Sequence, residues 1–456
     1  MNRLLGRHDS DMTVGPILSQ LITYAVTLSI GMLFQQLYNT VDTIVVGRFV
    51  GKQALAAVGS TASIVNMLVG FGAGLATGAT VVVSQCYGAH DDKQLSNAVH
   101  TTIAGTFFMS IIATVVGLLI VDPMLRMMKT PADVMESART YLTIFFSGIG
   151  GLFFYNIGSG ILRAVGDARR PIYFLAFSAF LNIMFDLLFV IVFHMGVEGV
   201  AIATILSQAL SAILVMAVLI RDEAPYAIHV KKIRLDPWML KRIFGIGFPS
   251  AVQQAITSFS NVFVQSYINF FGSACMAGWA SYNKIDIFIL MPVQAIAMAL
   301  TTFVGQNYGA GQMERAKEGT RKSLRIAVGM TAVLAVVVAL LSPQLCRLFT
   351  KDEEIIAYGV HFLRMIAPFY VVCCSNQVFA GALRGIGQTK YPTLIMLFSF
   401  VLFRQVYLFV VKMMGNNFNL ISIAYPVGWT VCSILMATLY HNSIMGTKKH
   451  RIPAAH

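Results

Sequence analysis

Two acidic residues lie inside long apolar runs of the chain, where a charge is costly and by default points to a function. Asp42 lies near the end of the first run and Asp186 lies in the fifth. Asn182 precedes Asp186 by four residues, so an amide and a carboxylate share one face of a helix. Thr204 lies in the next run, about two turns from its start. Carboxylate, amide and hydroxyl oxygens suit either a proton or a hard monovalent cation.

Each of these residues also has a structural interpretation, and the sequence leaves both open. Asp42 near a helix end can cap that helix. Asp186 can accept a hydrogen bond from a neighbouring backbone. The Thr204 hydroxyl can donate a hydrogen bond to a backbone carbonyl of the preceding turn, as threonine commonly does in membrane helices.

The elements that must position these residues are membrane-spanning helices. Of the 456 residues, 57% are hydrophobic and only 12% are charged, with a mean hydropathy of +0.71, whereas soluble domains carry roughly 25% charged residues. Because a polar segment without a cleavage site precedes the first run, we interpret that run as a retained helix. The pattern predicts an all-α membrane protein with twelve spans, near 17–46, 54–84, 97–121, 140–162, 172–194, 197–220, 243–271, 284–305, 324–349, 360–383, 392–413 and 419–442.

The net charge of +13 is distributed asymmetrically along the chain. Lysine and arginine are concentrated in alternate connecting segments, which predicts that both termini and these segments face the cytoplasm of a cell membrane. The basic surplus then sets topology and meets anionic lipid headgroups, so a nucleic-acid partner is not expected. The predicted cytoplasmic segments are 1–16, 85–96, 163–171, 221–242, 306–325, 384–391 and 443–456.

The two halves of the chain repeat each other at one constant offset in residue number. The matched residues include the pairs Gln85 and Gln306, Arg163 and Arg384, and Pro171 and Pro392. Each half has an even number of spans, so the repeats run parallel, related by a pseudo-two-fold axis along the membrane normal. Transporters built in this way alternate access between two halves, although a scaffold is the plainer alternative. We predict an N-lobe at 1–220, a basic cytoplasmic linker at 221–242 and a C-lobe at 243–456.

The repeat also tests the polar cluster. Applying the offset between Gln85 and Gln306 to Asp42, Asn182, Asp186 and Thr204 gives aromatic residues, namely Phe263, Phe403, Tyr407 and Tyr425. Because the fold was duplicated and the cluster was not, the cluster is not required for packing, which places ion coupling in the first half.

Several motifs together resemble the multidrug and toxic compound extrusion (MATE) family, with the DinF-like branch and its Firmicutes-type relatives the most similar. The resemblance covers essentially the whole chain. It implies an efflux antiporter that exports organic cations and drugs in exchange for protons or sodium, with no cofactor and no metal beyond a possible sodium ion. The motifs are Gln36-Leu37-Tyr38-Asn39-Thr40-Val41-Asp42-Thr43-Ile44-Val45-Val46-Gly47-Arg48, Ser84-Gln85-x-Tyr87-Gly88-Ala89, Ile161-Leu162-Arg163-Ala164-x-Gly166-Asp167 and Leu383-Arg384-Gly385-x-Gly387.

The resemblance also implies site residues. Asp42, Asn182, Asp186 and Thr204 match the family's ion-coupling site, and a substrate pocket is implied at Tyr38, Tyr141 and Asn156, with Met32 and Gln35 as further candidates. The chain departs from relatives in two respects. Thr27 replaces a proline, and the seventh span has Gln253 and Gln254 where some members have an acid.

Two other charges, Asp286 and Arg404, lie in or near spans of the second half. They can pair with each other, or Asp286 can lie in water at the outer surface; the sequence does not decide between these.

We therefore expect a monomeric antiporter for small organic cations and not an enzyme. A lipid-linked oligosaccharide flippase of the same superfamily is the first alternative, but it would favour a basic cavity. A membrane-embedded enzyme is the second, and it would need a histidine, serine or metal constellation that the spacing does not provide.

Overall fold

The structure is a computed structural model that describes residues 10–50, 52–128 and 130–445, without the side chains at 38, 39, 42–44, 47, 48, 52–56, 63, 259, 262, 444 and 445. These residues form α-helices, with no β-strand in the described ranges, so the predicted all-α fold is confirmed. The helices are α1 (Ile17–Val45), α2 (Lys52–Gly88), α3 (Asp92–Met127), α4 (Ala132–Ser147), α5 (Ile149–Ala164), α6 (Arg169–Leu187), α7 (Val197–Arg221), α8 (Pro237–Asn269), α9 (Ser273–Gly309), α10 (Met313–Arg347), α11 (Glu353–Ile366), α12 (Tyr370–Gly385), α13 (Lys390–Leu397), α14 (Arg404–Met413), α15 (Phe418–Ser422) and α16 (Ala424–Tyr440).

Most of these helices are long and apolar enough to cross a membrane. In the described part of the chain nine helical stretches meet that condition, and the pair α4 and α5, bent by 47°, makes a tenth. The two other predicted spans, 243–271 and 419–442, fall on α8 and on α15 with α16. The twelve predicted spans are therefore all helical.

Three π-helical turns lie close in sequence to intramembrane charges of the described residues. Val46–Val50 follows α1, Leu188–Val192 follows α6, and Phe398–Phe403 joins α13 to α14. The second of these turns begins two residues after Asp186, and the third ends immediately before Arg404. Such turns are rare and frequently occur at functional sites.

The duplication is visible in the backbone. Left-handed φ values recur at matched turns of the two repeats, in the pairs His90 and Gly311, Gly166 and Gly387, and His194 and Gly415. A matched hydrogen bond recurs as well. The Thr80 hydroxyl donates to the Gly160 carbonyl at 3.1 Å, and the Thr301 hydroxyl donates to the Gly381 carbonyl at 3.0 Å. The repeat therefore extends from sequence to local geometry.

The chain forms two compact units. Unit 1 contains Thr27–Ala251 with the segment ending at Asp11, and unit 2 contains Met12–Val26 and the described chain from Val252 onward. The first turns of α1 thus belong with the second half of the chain, and the first turns of α8 belong with the first half. Hydropathy does not reveal this exchange, because both helices read as continuous apolar runs.

Small residues bring the helices of unit 1 close together. A Cβ at Gly158 would meet the Val215 side chain, and one at Gly151 would lie 2.9 Å from the Ala209 nitrogen, which shows how closely α5 approaches α7. Close backbone approach at small residues is typical of helix pairs in membranes.

The segment between α7 and α8 is docked on unit 1. Asn97 donates to the Asp236 carboxylate at 2.7 Å, and the His229 backbone N–H donates to the His100 ring at 2.9 Å. The Arg170 guanidinium contacts Asp167, Asp222 and Tyr226, and its side chain is buried. The basic segment is therefore a packed part of the unit.

In unit 2 the N-terminal segment is held by side chains of α9 and α10. The Met12 backbone N–H donates to the Gln306 side chain at 2.8 Å, and Arg315 donates to the carbonyls of Met12 and Gly15. In unit 1 Gln85, the repeat partner of Gln306, accepts from Arg242 of α8 at 2.6 Å. Gln85 thus holds the beginning of α8, and Gln306 holds the segment that precedes α1.

Candidate functional site

The candidate site lies on α6 and α7 of unit 1. Asn182 and Asp186 are both completely buried, one turn apart on α6, and Thr204 of α7 is buried as well. Helices α6 and α7 pack along each other. The α6 sequence places a polar stripe of Ser178, Asn182 and Asp186 on one buried face, while Phe177, Phe180 and Met184 on the other faces are exposed. The i, i+4 spacing therefore has the structural consequence that the sequence predicts.

The Asn182 side chain is a buried polar group of this set whose hydrogen bonds are not satisfied within the described part of the chain. Among the described residues, neither the amide oxygen nor the amide nitrogen of Asn182 has a hydrogen-bond partner. Burying an unbonded amide costs roughly 1–3 kcal/mol in proteins. Such a group needs a compensating role, and an amide oxygen beside a carboxylate is a suitable ligand for a small cation or its water.

Thr204 is satisfied by its own helix. Its hydroxyl donates to the Val200 carbonyl at 3.0 Å, which leaves an oxygen lone pair free to face a cation. The structural interpretation of Thr204 and a role as an ion ligand are therefore compatible.

Asp42 lies in α1, four residues before the π turn Val46–Val50, but its side chain is outside the described residues. The same holds for Tyr38. The pairing of Asp42 with Asp186 and the position of Tyr38 in a substrate pocket therefore stay predictions.

The remaining pocket candidates have different surroundings. Met32 is half-buried and Gln35 is exposed on α1. Tyr141 is buried in the core of unit 1, stacked on Phe145 with ring centroids 6.4 Å apart. Asn156 is half-buried, and its amide donates to the Leu152 carbonyl at 2.9 Å. Tyr141 is thus part of the core packing, while Asn156 keeps its amide oxygen for another partner.

A small cleft of about 30 Å³ lies in unit 1, between α2, α3, α5 and the beginning of α8. Its walls are mainly apolar, with Thr102 and Thr106 as the hydroxyl-bearing residues, and none of the four pocket candidates whose side chains the structure describes lines it.

The structure shows the hydrogen-bond partners of two charged residues of unit 2, Asp286 and Arg404. The Asp286 carboxylate accepts from the Tyr370 hydroxyl at 2.7 Å and from the Tyr282 hydroxyl at 3.1 Å. Arg404 donates to Ser260 and Asn261, both at 2.9 Å. The described side chains include no ion pair between Asp286 and Arg404. The pairing considered from the sequence is therefore wrong, and tyrosine hydroxyls hold Asp286 instead.

The tyrosine, serine and asparagine partners of these charges were not predicted. Tyr282 lies four residues before Asp286, so the i, i+4 spacing was a usable signal. Tyr370, Ser260 and Asn261 lie far from their partners in sequence and only the fold brings them together. The described part of the chain contains no group of three histidine, cysteine or acidic side chains placed to hold a metal ion.

Outside the spans, Asp236 is an acidic residue whose surroundings alter its pKa. The hydrogen bond from Asn97 and those from the Met239 and Trp238 backbone N–H groups lower the pKa of its carboxyl. Asp236 thereby caps α8 and anchors the preceding segment to α3.

Known proteins resemble the chain over most of its length. The MatE family model matches residues 28–188 and 249–410. The probable multidrug resistance protein YpnP of Bacillus subtilis is 30% identical over 396 residues, which cover 86% of this chain and 88% of that protein. The probable multidrug resistance protein NorM of Thermotoga maritima is 26% identical, and the match covers 84% of this chain and 83% of that protein.

A solved structure of an outward-facing multidrug resistance MATE family transporter of the MOP superfamily matches with a TM-score of 0.90 at 24% identity. The match covers 97% of this chain and all of the other. At this identity the likeness establishes the fold alone, and the chain shares the fold of that transporter.

Proposed function

Because the chain belongs to the MatE family of multidrug efflux transporters, we propose that it is a secondary active antiporter. It exports organic cations and drugs across the cell membrane in exchange for protons or sodium ions, by alternating access. It acts as a monomer with both termini in the cytoplasm. The observation that carries this proposal is the buried pair of Asn182 and Asp186 on one face of α6, with an amide that has no partner among the described residues.

The proposed mechanism begins with the ion. A proton or a sodium ion that reaches Asp186 neutralises its charge, and the Asn182 and Thr204 oxygens complete the coordination of a sodium ion. Removing a buried negative charge changes how favourably α6 packs, because a carboxylate in an apolar environment is costly and a neutral group is not. Asp42 supplies a second carboxylate in this proposal. An inward-directed ion gradient thus drives outward release of the substrate.

The repeat supports placing the coupling in unit 1. In unit 2 the positions equivalent to Asn182, Asp186 and Thr204 are Phe403, Tyr407 and Tyr425. None of these three side chains has a carboxylate that could bind a sodium ion. An antiporter with one ion site requires only one of two duplicated bundles to carry it.

The test is uptake of the fluorescent cation rhodamine 123 into proteoliposomes, with a pH gradient and a sodium gradient imposed separately. We expect one gradient to drive uptake in the wild type, and Asp186→Asn to reduce that uptake at least tenfold. Asp42→Asn is expected to have the same effect.

The matched control is Asp122→Asn. Asp122 is an exposed acid of the same unit, 2.9 Å from Arg139, and its loss should leave uptake within twofold of the wild type. Full gradient-driven uptake by the Asp42→Asn, Asp186→Asn double variant would overturn the proposal, as would failure of both gradients to drive the wild type.

A further inference from the structure

The segment between α7 and α8 is held beside the ends of membrane-spanning helices. The Ile228 backbone N–H donates to the Leu219 carbonyl, in the last turn of α7, at 2.8 Å. One residue later, the His229 backbone N–H donates to the His100 ring near the beginning of α3. Both α3 and α7 are long and apolar enough to cross a membrane. Because the segment runs beside these two helix ends, we expect residues 229–238 to lie where the helices leave the bilayer.

Large apolar side chains of this segment are exposed. Val230 is 69% exposed and Trp238 is 58% exposed. Ile233 and Leu235, which lie between them in sequence, are exposed as well. Apolar surface in contact with water is costly, and exposed apolar side chains among polar ones mark a contact with a partner or a membrane. Tryptophan in particular is enriched at the membrane–water interface. The apolar residues of the segment therefore fit a lipid surface.

Basic side chains alternate with these apolar residues. Lys231, Lys232 and Arg234 are exposed, and no described carboxylate lies within 4.0 Å of their charged nitrogens. The one acid among residues 229–242 is Asp236. Its carboxylate accepts from Asn97 and from backbone N–H groups of α8. The exposed side of the segment thus carries three positive charges that the described side chains do not neutralise.

The basic residues at the beginning of α10 in unit 2 have different surroundings. There Lys317 pairs with Glu314, and Lys322 pairs with Glu318, each at 2.6 Å. Among the described residues from 306 to 325, no large apolar side chain is exposed. A segment that only carries positive charge on the predicted cytoplasmic side therefore does not need exposed apolar side chains. The segment between α7 and α8 combines the two features.

We propose that the exposed side of this segment, the linker patch, binds the surface of an anionic lipid leaflet. The apolar side chains enter the boundary between headgroups and acyl chains, and the cations attract the negative headgroups. Binding attaches the beginning of α8 to the leaflet, and the strength of that attachment depends on lipid charge. The patch consists of four apolar and three basic residues, namely Val230, Ile233, Leu235 and Trp238, and Lys231, Lys232 and Arg234.

The experiment uses Trp238 as a reporter of its own surroundings. The two other tryptophans, Trp279 and Trp429, are buried, so quenching by the neutral solute acrylamide comes mainly from Trp238. The purified protein is placed in nanodiscs of phosphatidylcholine alone, or of equal parts of phosphatidylcholine and phosphatidylglycerol. We expect the anionic lipid to lower the quenching constant at least twofold. Trp238→Phe should remove the part of the signal that depends on lipid.

Two variants separate the contribution of charge from that of apolar surface. The combined variant Lys231→Gln, Lys232→Gln, Arg234→Gln should show the same quenching in both lipids. Because the three side chains are exposed, it should melt as the wild type does in phosphatidylcholine. The second variant, Val230→Ser with Ile233→Ser, keeps the charges and should lose at least half of the protection that the anionic lipid gives.

The matched control removes the same number of charges from α10 of unit 2, on the same predicted side of the membrane. It combines Arg321→Gln, Lys322→Gln and Arg325→Gln, and its Trp238 should be protected by the anionic lipid as in the wild type. Hydrogen exchange gives a second measurement that does not use tryptophan. Exchange at Ile233 and Leu235 should be slower in the anionic lipid for the wild type and the control.

Several outcomes would overturn the inference. Equal quenching and equal exchange of the wild type in both lipids would do so and would leave the linker patch to a soluble partner. Full protection in the variant that lacks the three linker charges would also contradict it, as would an equal loss of protection in the α10 control. The measurements do not involve transport, so failure of the proposed antiport function would leave this result unaffected.

Discussion

At the scale of single residues, the informative feature is a buried polar group without a bond. Natural cores satisfy nearly all buried polar groups, so an exception calls for a reason. Asn182 and Asn376 are both fully buried, and in the described part of the chain both atoms of each amide lack partners. Asn182 lies beside Asp186, and Asn376 lies on α12 of the other unit. Comparing variants at these two residues therefore distinguishes the energetic cost of burying an unbonded amide from a role of Asn182 in ion coupling.

Replacing Asn182 by leucine should stabilise the protein and impair coupling. Leucine has the same branching of side-chain heavy atoms as asparagine and removes an unbonded amide, so we expect a gain of roughly 1–2 kcal/mol in unfolding free energy. The ion concentration for half-maximal rhodamine 123 uptake should rise at least tenfold. Thermal unfolding and uptake titrated against the driving ion measure the two effects.

Asn376→Leu is the matched control for that experiment. It should raise thermal stability by a similar amount and leave the ion dependence of uptake unchanged. A lowered melting temperature in Asn182→Leu, or an unchanged ion dependence, would contradict the proposed role of Asn182.

At the scale of elements, the close crossing of α2 and the beginning of α8 organises unit 1. A Cβ on Gly78 would meet the Ile243 carbonyl oxygen and would lie 2.7 Å from the Gly247 nitrogen. The atoms in contact at this crossing belong to the two backbones. A change of side-chain rotamer therefore cannot make room for an added methyl group. The sequence shows glycines in both helices, but it cannot show which of them face each other, because many glycines alternate with apolar residues in both runs.

Gly78→Ala should destabilise unit 1, while Gly245→Ala on α8 should not. The added methyl group at Gly78 forces the helices apart, at a cost of about 1–3 kcal/mol. Gly245 is exposed and has open space for a Cβ, so alanine there should gain roughly 0.5–1 kcal/mol from helix propensity. Thermal unfolding of both variants gives the comparison, and equal melting temperatures would show that the crossing is not tightly packed.

At the scale of the whole molecule, the sequence predicted what depends on composition and repetition. Twelve apolar runs, a duplication at a constant offset and the shared face of Asn182 and Asp186 all follow from periodicity, and the structure contains them. The exchange of helix beginnings between the units and the contacts of Arg404 with Ser260 and Asn261 do not follow. They depend on long-range packing, which leaves no trace in the spacing of a single sequence.

The segment between the halves is a further case where pattern and packing differ. Residues 221–242 are basic and polar, which is typical of a connecting segment on the membrane surface. In the structure Asp236 ties this segment down, because its carboxylate accepts from Asn97 and caps α8 through the N–H groups of Trp238 and Met239. Ala224, Tyr226, Ala227 and Ile228 of the same segment are buried.

Asp236→Ala should therefore release the beginning of α8 and the segment before it. Loss of the cap alone costs about 1 kcal/mol, and hydrogen exchange at Trp238, Met239 and His229 should accelerate at neutral pH. The pKa of Asp236 is lowered in the folded protein by the hydrogen bond from Asn97 and the backbone bonds. The stabilisation is thus complete above the unfolded-state value of about 3.9 and is lost as the pH falls through the folded-state pKa.

The control is Asp352→Ala, which removes a cap from α11 that accepts only the backbone N–H groups of Glu354 and Ile355. It should accelerate exchange at the beginning of α11 and leave α8 unchanged. In the wild type, protection of Trp238 and Met239 should hold from neutral pH to about pH 5 and decline only in more acidic solution, since the carboxylate stays ionised until then. Unchanged exchange at His229 in Asp236→Ala would mean that other contacts of the segment hold it, and that Asp236 serves α8 alone.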